Sequence, residues 1–153
     1  MSLTRKIGVV FLILAIVWSM IIWSFSLKNA ENSSVDSNAA KSALESILEF
    51  FFGEDVELGD KMIRKLAHFC EFAALGFLTF MTFYCFEHRK RIELISYPTL
   101  WGLGVAGTDE FLQLFFEGRS AQLTDVLLDV SGVLVAALFM WMIVMITNKK
   151  SRP

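Results

Sequence analysis

Charged and polar residues recur between positions 64 and 129 of this 153-residue chain, within or beside stretches that are otherwise strongly apolar. They are Arg64, Lys65, His68, Glu71, Asp109, Glu110, Gln113, Arg119, Asp125 and Asp129. Even on the most permissive insertion scale, an ionisable side chain at the centre of a bilayer costs about 2.5–3.5 kcal/mol. Because the chain accepts this cost repeatedly, we expect these residues to form a functional site.

Proton transfer is the chemistry that the central residues could carry out. An imidazole between carboxylates can act as a general acid or base. The candidate catalytic residues are His68, Glu71, Asp109 and Glu110. The alternative interpretation is that His68 is a structural residue held by hydrogen bonds within the helix packing.

The remaining polar residues are candidates for binding a ligand. This group consists of Arg64, Lys65, Gln113, Arg119, Asp125 and Asp129. A planar guanidinium binds a phosphate or carboxylate through two parallel hydrogen bonds, so an anionic ligand is expected. Alternatively, Arg64 and Arg119 neutralise Glu110 or Asp125, and Gln113 ties one helix to a neighbour.

The charges of this region do not balance, with three cations against five acids. Carboxylates brought together in a medium of low dielectric constant cannot all stay ionised without compensation. We expect at least one of Glu71, Glu110 and Asp129 to be protonated at neutral pH and to share its proton with His68. A divalent cation such as Mg²⁺ is the less favoured alternative, and a single histidine disfavours zinc. The sequence therefore predicts neither a metal nor a cofactor.

The elements that must position these residues are predicted to be membrane helices. Hydrophobic residues make up 55% of the chain and are concentrated in long blocks, which is typical of a membrane protein. Four blocks are long enough to cross a bilayer, at about residues 7–27, 62–86, 94–116 and 124–147. Apolar positions at helical spacing predict a further, amphipathic helix at about residues 39–52. We expect an all-α membrane protein in which residues 1–153 form a single domain.

Basic residues predict the orientation of these helices. Clusters at positions 5–6, 88–91 and 149–152 should lie in the cytoplasm, which four spans permit. Both termini are then cytoplasmic, and the polar connection 28–61, with its amphipathic helix, lies outside. The formal net charge of −2 suggests no nucleic-acid partner.

The polar residues of three predicted spans fall at similar depths. At about 1.5 Å per residue, His68 and Glu71 lie roughly 9–14 Å from the outer end of their span, Glu110 about 9 Å and Asp129 about 8 Å. The cytoplasmic halves carry no such residues, which argues against a path through the membrane. The sequence therefore predicts a polar pocket in the outer leaflet that opens to the extracytoplasmic side.

Four motifs, taken in order and at their spacings, resemble the VanZ-like family over about residues 60–136. They are Arg64-Lys65-Leu66-Ala67-His68-Phe69-x-Glu71-Phe72, Asp109-Glu110-x-x-Gln113, Gly118-Arg119-Ser120 and Asp125-Val126-x-x-Asp129-x-x-Gly132. The founding members of that family are membrane proteins associated with resistance to glycopeptide antibiotics, notably teicoplanin. The resemblance implies an outer-face membrane function in the cell envelope.

This chain departs from the family pattern at three positions. Many members have Pro where Glu117 stands, Asn where Asp129 stands, and Tyr where Phe72 stands. The additional acid at position 129 weakens any transfer of a polar role to that position from the resemblance.

Two functions remain open. The first is a small membrane enzyme that acts on an anionic, lipid-linked precursor of the cell envelope. The second is a non-catalytic module that binds such a lipid, the antibiotic or a membrane partner. A transporter is disfavoured by the small size of the chain and by the one-sided polar layer. The sequence does not decide between enzyme and binding module.

Overall fold

The computed structural model describes residues 2–26, 60–86, 92–115 and 122–150 of the chain. These residues form helices and no strands. The helices are α1 (Leu3–Ser26), α2 (Asp60–Phe86), α3 (Glu93–Gln113) and α4 (Leu123–Lys150). They confirm the predicted all-helical class. The amphipathic helix predicted at 39–52 lies outside the described residues.

Among the described residues, three helices are long and apolar enough to cross a membrane, over Leu3–Phe25, Lys65–Phe86 and Leu123–Asn148. They support membrane localisation. Helix α3 is not among them, and its second half carries the polar residues Asp109, Glu110 and Gln113. It ends at Gln113, three residues before the predicted end of the third span, and residues 114–115 form a turn.

Helices α2 and α3 each contact the other three helices, and the contacts of α2 are the more extensive. Helix α4 also packs against α3, and α1 also contacts α3. One cluster of buried apolar side chains joins all four helices: Ile22, Phe72, Leu75, Val105, Ala106 and Val133. A second, smaller cluster joins α2, α3 and α4 through Phe80, Leu94 and Ala137.

Glycines bring α4 close to its neighbours. A Cβ atom on Gly76 would lie 2.6 Å from the carbonyl oxygen of Val133, and one on Gly132 would lie 2.5 Å from that of Phe69. A Cβ atom on Gly102 of α3 would lie 2.5 Å from a methyl carbon of Val133. These positions have no room for a side chain, so the helices approach to backbone distance, as small residues permit in lipid.

The small residues of α3 do not all serve this purpose. Gly102 and Ala106 are buried one turn apart and face the bundle. A Cβ atom on Gly104 or Gly107 would have no neighbour within 4 Å. Close helix approach therefore involves one face of α3 and not the opposite face.

Candidate functional site

Three helices contribute one side chain each to a cluster near one end of the bundle. His68 of α2, Asp109 of α3 and Asp129 of α4 each offer a ring nitrogen or a carboxylate oxygen, and these atoms lie within 4.8 Å of one another. We call these three residues the polar cluster. Its members come from the candidate catalytic set and from the candidate ligand-binding set alike.

The two aspartates of the polar cluster are almost completely buried. Asp109 is 0% exposed and Asp129 is 2% exposed. The Oδ1 atom of each has no hydrogen-bond partner among the residues that the structure describes. Buried polar atoms are normally paired, and an unpaired one costs about 1–3 kcal/mol. These two oxygens are therefore costly features of the fold.

The other oxygen of Asp109 is held within its own helix. Gln113, one turn further along α3, donates a hydrogen bond from Nε2 to Asp109 Oδ2 at 3.0 Å. This contact restricts rotation of the carboxylate and leaves Oδ1 as its remaining acceptor. Gln113 thus orients Asp109 within α3, and its predicted tie to a neighbouring helix or contact with a ligand stays a prediction.

Glu110 connects α3 to the beginning of α4. The backbone N–H of Gln122, next to the first residue of α4, donates a hydrogen bond to Glu110 Oε2 at 2.8 Å. The first N–H groups of a helix have no partner within it, and a carboxylate there also interacts favourably with the helix dipole. Glu110, which is 6% exposed, therefore has a structural role that the sequence did not reveal.

Lys65 and Asp125 form an ion pair at the more open side of the same region. Lys65 Nζ donates to Asp125 Oδ1 at 2.9 Å, and the two side chains are 48% and 28% exposed. The pair links α2 to the first turn of α4. Such partly exposed pairs contribute little to stability.

Glu71 lies beside His68 on α2. His68 Nδ1 is 4.0 Å from Glu71 Oε2, and both side chains are about one quarter exposed, at 25% and 27%. This separation is longer than a hydrogen bond. The carboxylate is close enough to stabilise a positive charge on the imidazole or on an ion bound to it.

Tryptophans of α1 and α3 hold the bundle together beside this region, a feature that the sequence analysis missed. Trp18 Nε1 donates to the backbone carbonyl of Glu71 at 2.9 Å, and Trp23 Nε1 donates to that of Val105 at 3.2 Å. Trp101 Nε1 donates to Ser19 Oγ at 3.3 Å. The apolar surroundings of tryptophan indicate a span, but only the fold identifies these acceptors.

Two of the candidate cations lie outside the side chains that the structure describes. The side chain of Arg64 is not among those that the structure describes, although its backbone belongs to α2. Arg119 lies outside the described residues, between the end of α3 and the beginning of α4. Their predicted contact with an anionic ligand stays a prediction.

The opposite end of the bundle contains an apolar cavity of about 630 Å³ between α2 and α3. Phe83, Phe86, Tyr97 and Trp101 supply aromatic walls, and Glu93 is the acidic residue of the lining. The polar cluster lies four helical turns away along α2. The cavity therefore belongs to a different part of the molecule.

Comparison with known proteins identifies a family. A family model described as VanZ/LLP1 matches residues 11–145, which extends beyond the residues of the four motifs into both terminal helices. Searches of curated proteins and of solved structures found no significant match.

Proposed function

The chain belongs to the VanZ/LLP1 family, and we propose that it binds an anionic, lipid-linked component of the cell envelope at the polar cluster. The observation that carries this proposal is the convergence of His68, Asp109 and Asp129 from three helices. Polar groups buried in a membrane bundle commonly mark a substrate or ion site. The family resemblance adds an expected role in glycopeptide resistance, notably to teicoplanin.

The proposal includes a fourth membrane span. Helix α3 has 21 residues, and a helix of that length extends about 31 Å, which matches the hydrocarbon core of a bilayer. Its polar residues Asp109, Glu110 and Gln113 are buried against the bundle. Leu100, Leu103 and Phe111 are exposed and can face lipid. With four spans, the basic clusters put both termini in the cytoplasm and the polar cluster towards the outer surface.

The ligand is expected to be anionic because three cations flank the cluster in sequence. Lys65, Arg64 and Arg119 would contact a phosphate or carboxylate at the membrane surface, with Arg119 supplying a bidentate guanidinium. His68 and a neighbouring carboxylate would then transfer a proton to or from the bound group. The lipid tails would lie against the exposed apolar faces of the helices.

Mass spectrometry of the intact chain, extracted from membranes in a mild detergent, tests ligand binding. The wild-type chain should retain a phosphate-containing lipid, and Arg119→Lys should lose most of it because an ammonium does not reproduce the guanidinium fork. Arg5→Lys, at the cytoplasmic end of α1, is the matched control and should retain the lipid. The absence of bound lipid phosphate in the wild type would refute the proposal.

A non-catalytic binding module is the second candidate, and specific contacts favour it. Glu110 bonds to the Gln122 backbone, Gln113 bonds to Asp109, and Lys65 pairs with Asp125. Several polar groups therefore already have structural partners. Teicoplanin susceptibility of a bacterium expressing His68→Gln or Glu110→Gln distinguishes the two candidates. An enzyme should lose function in both variants at matched expression, whereas a binding module should tolerate at least one.

A further inference from the structure

We propose that His68, Asp109 and Asp129 form a binding site for one divalent transition-metal cation of the Zn²⁺ or Mn²⁺ class. The inference goes beyond the proposed function because the site would bind its ion whether or not a lipid is present. It assigns His68 the role of a metal ligand in place of a proton carrier. It also favours a bound divalent cation over a protonated carboxylate, whereas the charge count alone favoured protonation.

The first observation is the position of the donor atoms. One ring nitrogen and two carboxylate oxygens, each from a different helix, lie within 4.8 Å of one another. Neighbouring ligands of an ion with bonds of about 2.1 Å are roughly 3.0–3.4 Å apart. Small side-chain rotations would close the difference, without movement of the helices.

The second observation is independent of the first and concerns unpaired oxygens. Asp109 and Asp129 are at least 98% buried, and the Oδ1 atom of each lacks a hydrogen-bond partner within the described part of the chain. Two carboxylates buried side by side repel each other and have lost their hydration. A divalent cation would compensate both charges and supply the missing partner to both oxygens.

Residues next to the three donor side chains restrict the orientation of those side chains, as is common in metal sites. Gln113 donates to Asp109 Oδ2, which leaves Oδ1 for an ion. Glu71 lies 4.0 Å from His68 Nδ1 and can orient the imidazole or provide a further oxygen. Such supporting contacts typically change metal affinity by about 10–100-fold. The tight contact between Gly132 and the Phe69 carbonyl holds α4 against α2 within one turn of these ligands.

The donor set indicates the class of ion. Imidazole suits zinc and other transition metals, whereas carboxylates also suit manganese. A Ca²⁺ ion takes about 6–8 oxygen ligands, more than this cluster supplies. Three protein ligands leave at least one coordination position open, and an oxygen of a bound phosphate could occupy it.

Calorimetric titration of the full chain in lipid nanodiscs tests the site without any lipid-linked substrate. The protein is first stripped with EDTA, dialysed, and titrated with Zn²⁺ alone or Mn²⁺ alone. We expect one ion per chain, and at least about tenfold weaker binding in His68→Gln, Asp109→Asn and Asp129→Asn. Glu93→Gln removes a carboxylate at the other end of α3 and should change the affinity by less than about threefold.

Thermal unfolding of the same samples provides a second measurement of metal binding, which is needed if one variant fails to fold. The metal should raise the unfolding temperature of the wild type and of Glu93→Gln, because it binds the folded state. It should not raise that of Asp129→Asn or His68→Gln. Absence of saturable binding up to about 1 mM, where the binding free energy is only about −4 kcal/mol, overturns the proposal. Equal affinity in the wild type and the ligand variants also overturns it.

Discussion

Buried polar groups differ in their hydrogen-bond pairing between the two ends of the helical bundle, although α2, α3 and α4 form both ends. At the apolar end, around Phe80, Leu94 and Ala137, the hydroxyl groups bond within their own helix. Thr79 and Thr82 donate to the carbonyl oxygens of the residues four positions earlier, each at 2.8 Å. At the polar end, two buried aspartate oxygens lack a partner among the described residues.

This difference is one of hydrogen-bond pairing. Apolar contacts hold the helices together at one end, where Trp141 Nε1 is the unpaired polar atom among the residues described there. In the polar cluster, one oxygen of each buried aspartate is unpaired within the described part of the chain, and such atoms cost stability. A protein commonly retains such a feature where a ligand needs it. Substitutions at the apolar end should therefore lower stability and leave binding unchanged. Substitutions in the polar cluster should abolish binding without lowering stability.

The largest effect is expected where α2 and α4 pack in close contact, between the two ends of the bundle. Gly76→Val would place side-chain atoms against the Val133 backbone, 2.6 Å from the Cβ position. We expect the free energy of unfolding to fall by more than about 3 kcal/mol, since neither helix backbone can yield. Thermal unfolding in detergent measures the change. Gly104→Val, which points into open space, is the control, and an equal loss there would contradict close packing as the cause.

At the apolar end, Phe80→Ala removes a completely buried ring. The cavity should lower the free energy of unfolding by about 3 kcal/mol. Binding of a metal ion or lipid phosphate by the folded fraction should stay at the wild-type level, as the polar cluster is undisturbed. Loss of binding in the folded protein would show that the two ends are not separable.

A smaller effect is expected at Glu110, whose carboxylate accepts the Gln122 backbone N–H. Glu110→Ala should lower the free energy of unfolding by about 1–2 kcal/mol because it leaves that donor unpaired. Glu110→Gln keeps an acceptor and should be milder. Urea or thermal unfolding in detergent distinguishes the two. Equal losses would mean that the negative charge, and not the hydrogen bond, matters.

The smallest effect is expected at the Lys65–Asp125 ion pair, which is partly exposed. Lys65→Met should change the free energy of unfolding by less than about 1 kcal/mol. A double-mutant cycle with Asp125→Asn measures the interaction itself. A coupling well above that value would show that the pair is part of the structural framework.

The sequence predicted the helices, and it predicted that polar residues of three helices lie at a similar level of the bundle, as His68, Asp109 and Asp129 do. Apolar blocks at 7–27, 62–86, 94–116 and 124–147 correspond to α1 to α4, with ends that differ by up to four residues. The longest difference is at α1, which begins at Leu3 and includes the basic residues Arg5 and Lys6. Hydrophobic length determines where a helix can lie in a bilayer, and the sequence carries that information directly.

The partners of each polar group could not be predicted in the same way. Spacing indicates which residues share a face of one helix, but not how far that face is turned towards another helix. For this reason spacing alone reveals neither the opposite orientations of Gly102 and Gly104 nor the contact of Glu110 with the Gln122 backbone. The unpaired oxygens of Asp109 and Asp129 depend on three helices at once, so only the packed fold reveals them.

The most direct test of the contrast between the two ends is the unfolding temperature of an Asp109→Asn/Asp129→Asn variant in the presence of EDTA. The two substitutions remove the buried charges while nearly preserving shape. If the polar cluster serves function at a cost in stability, the metal-free variant should unfold at the same temperature as the metal-free wild type or at a higher one. A clearly lower unfolding temperature would mean that these carboxylates stabilise the bundle, and would contradict the account.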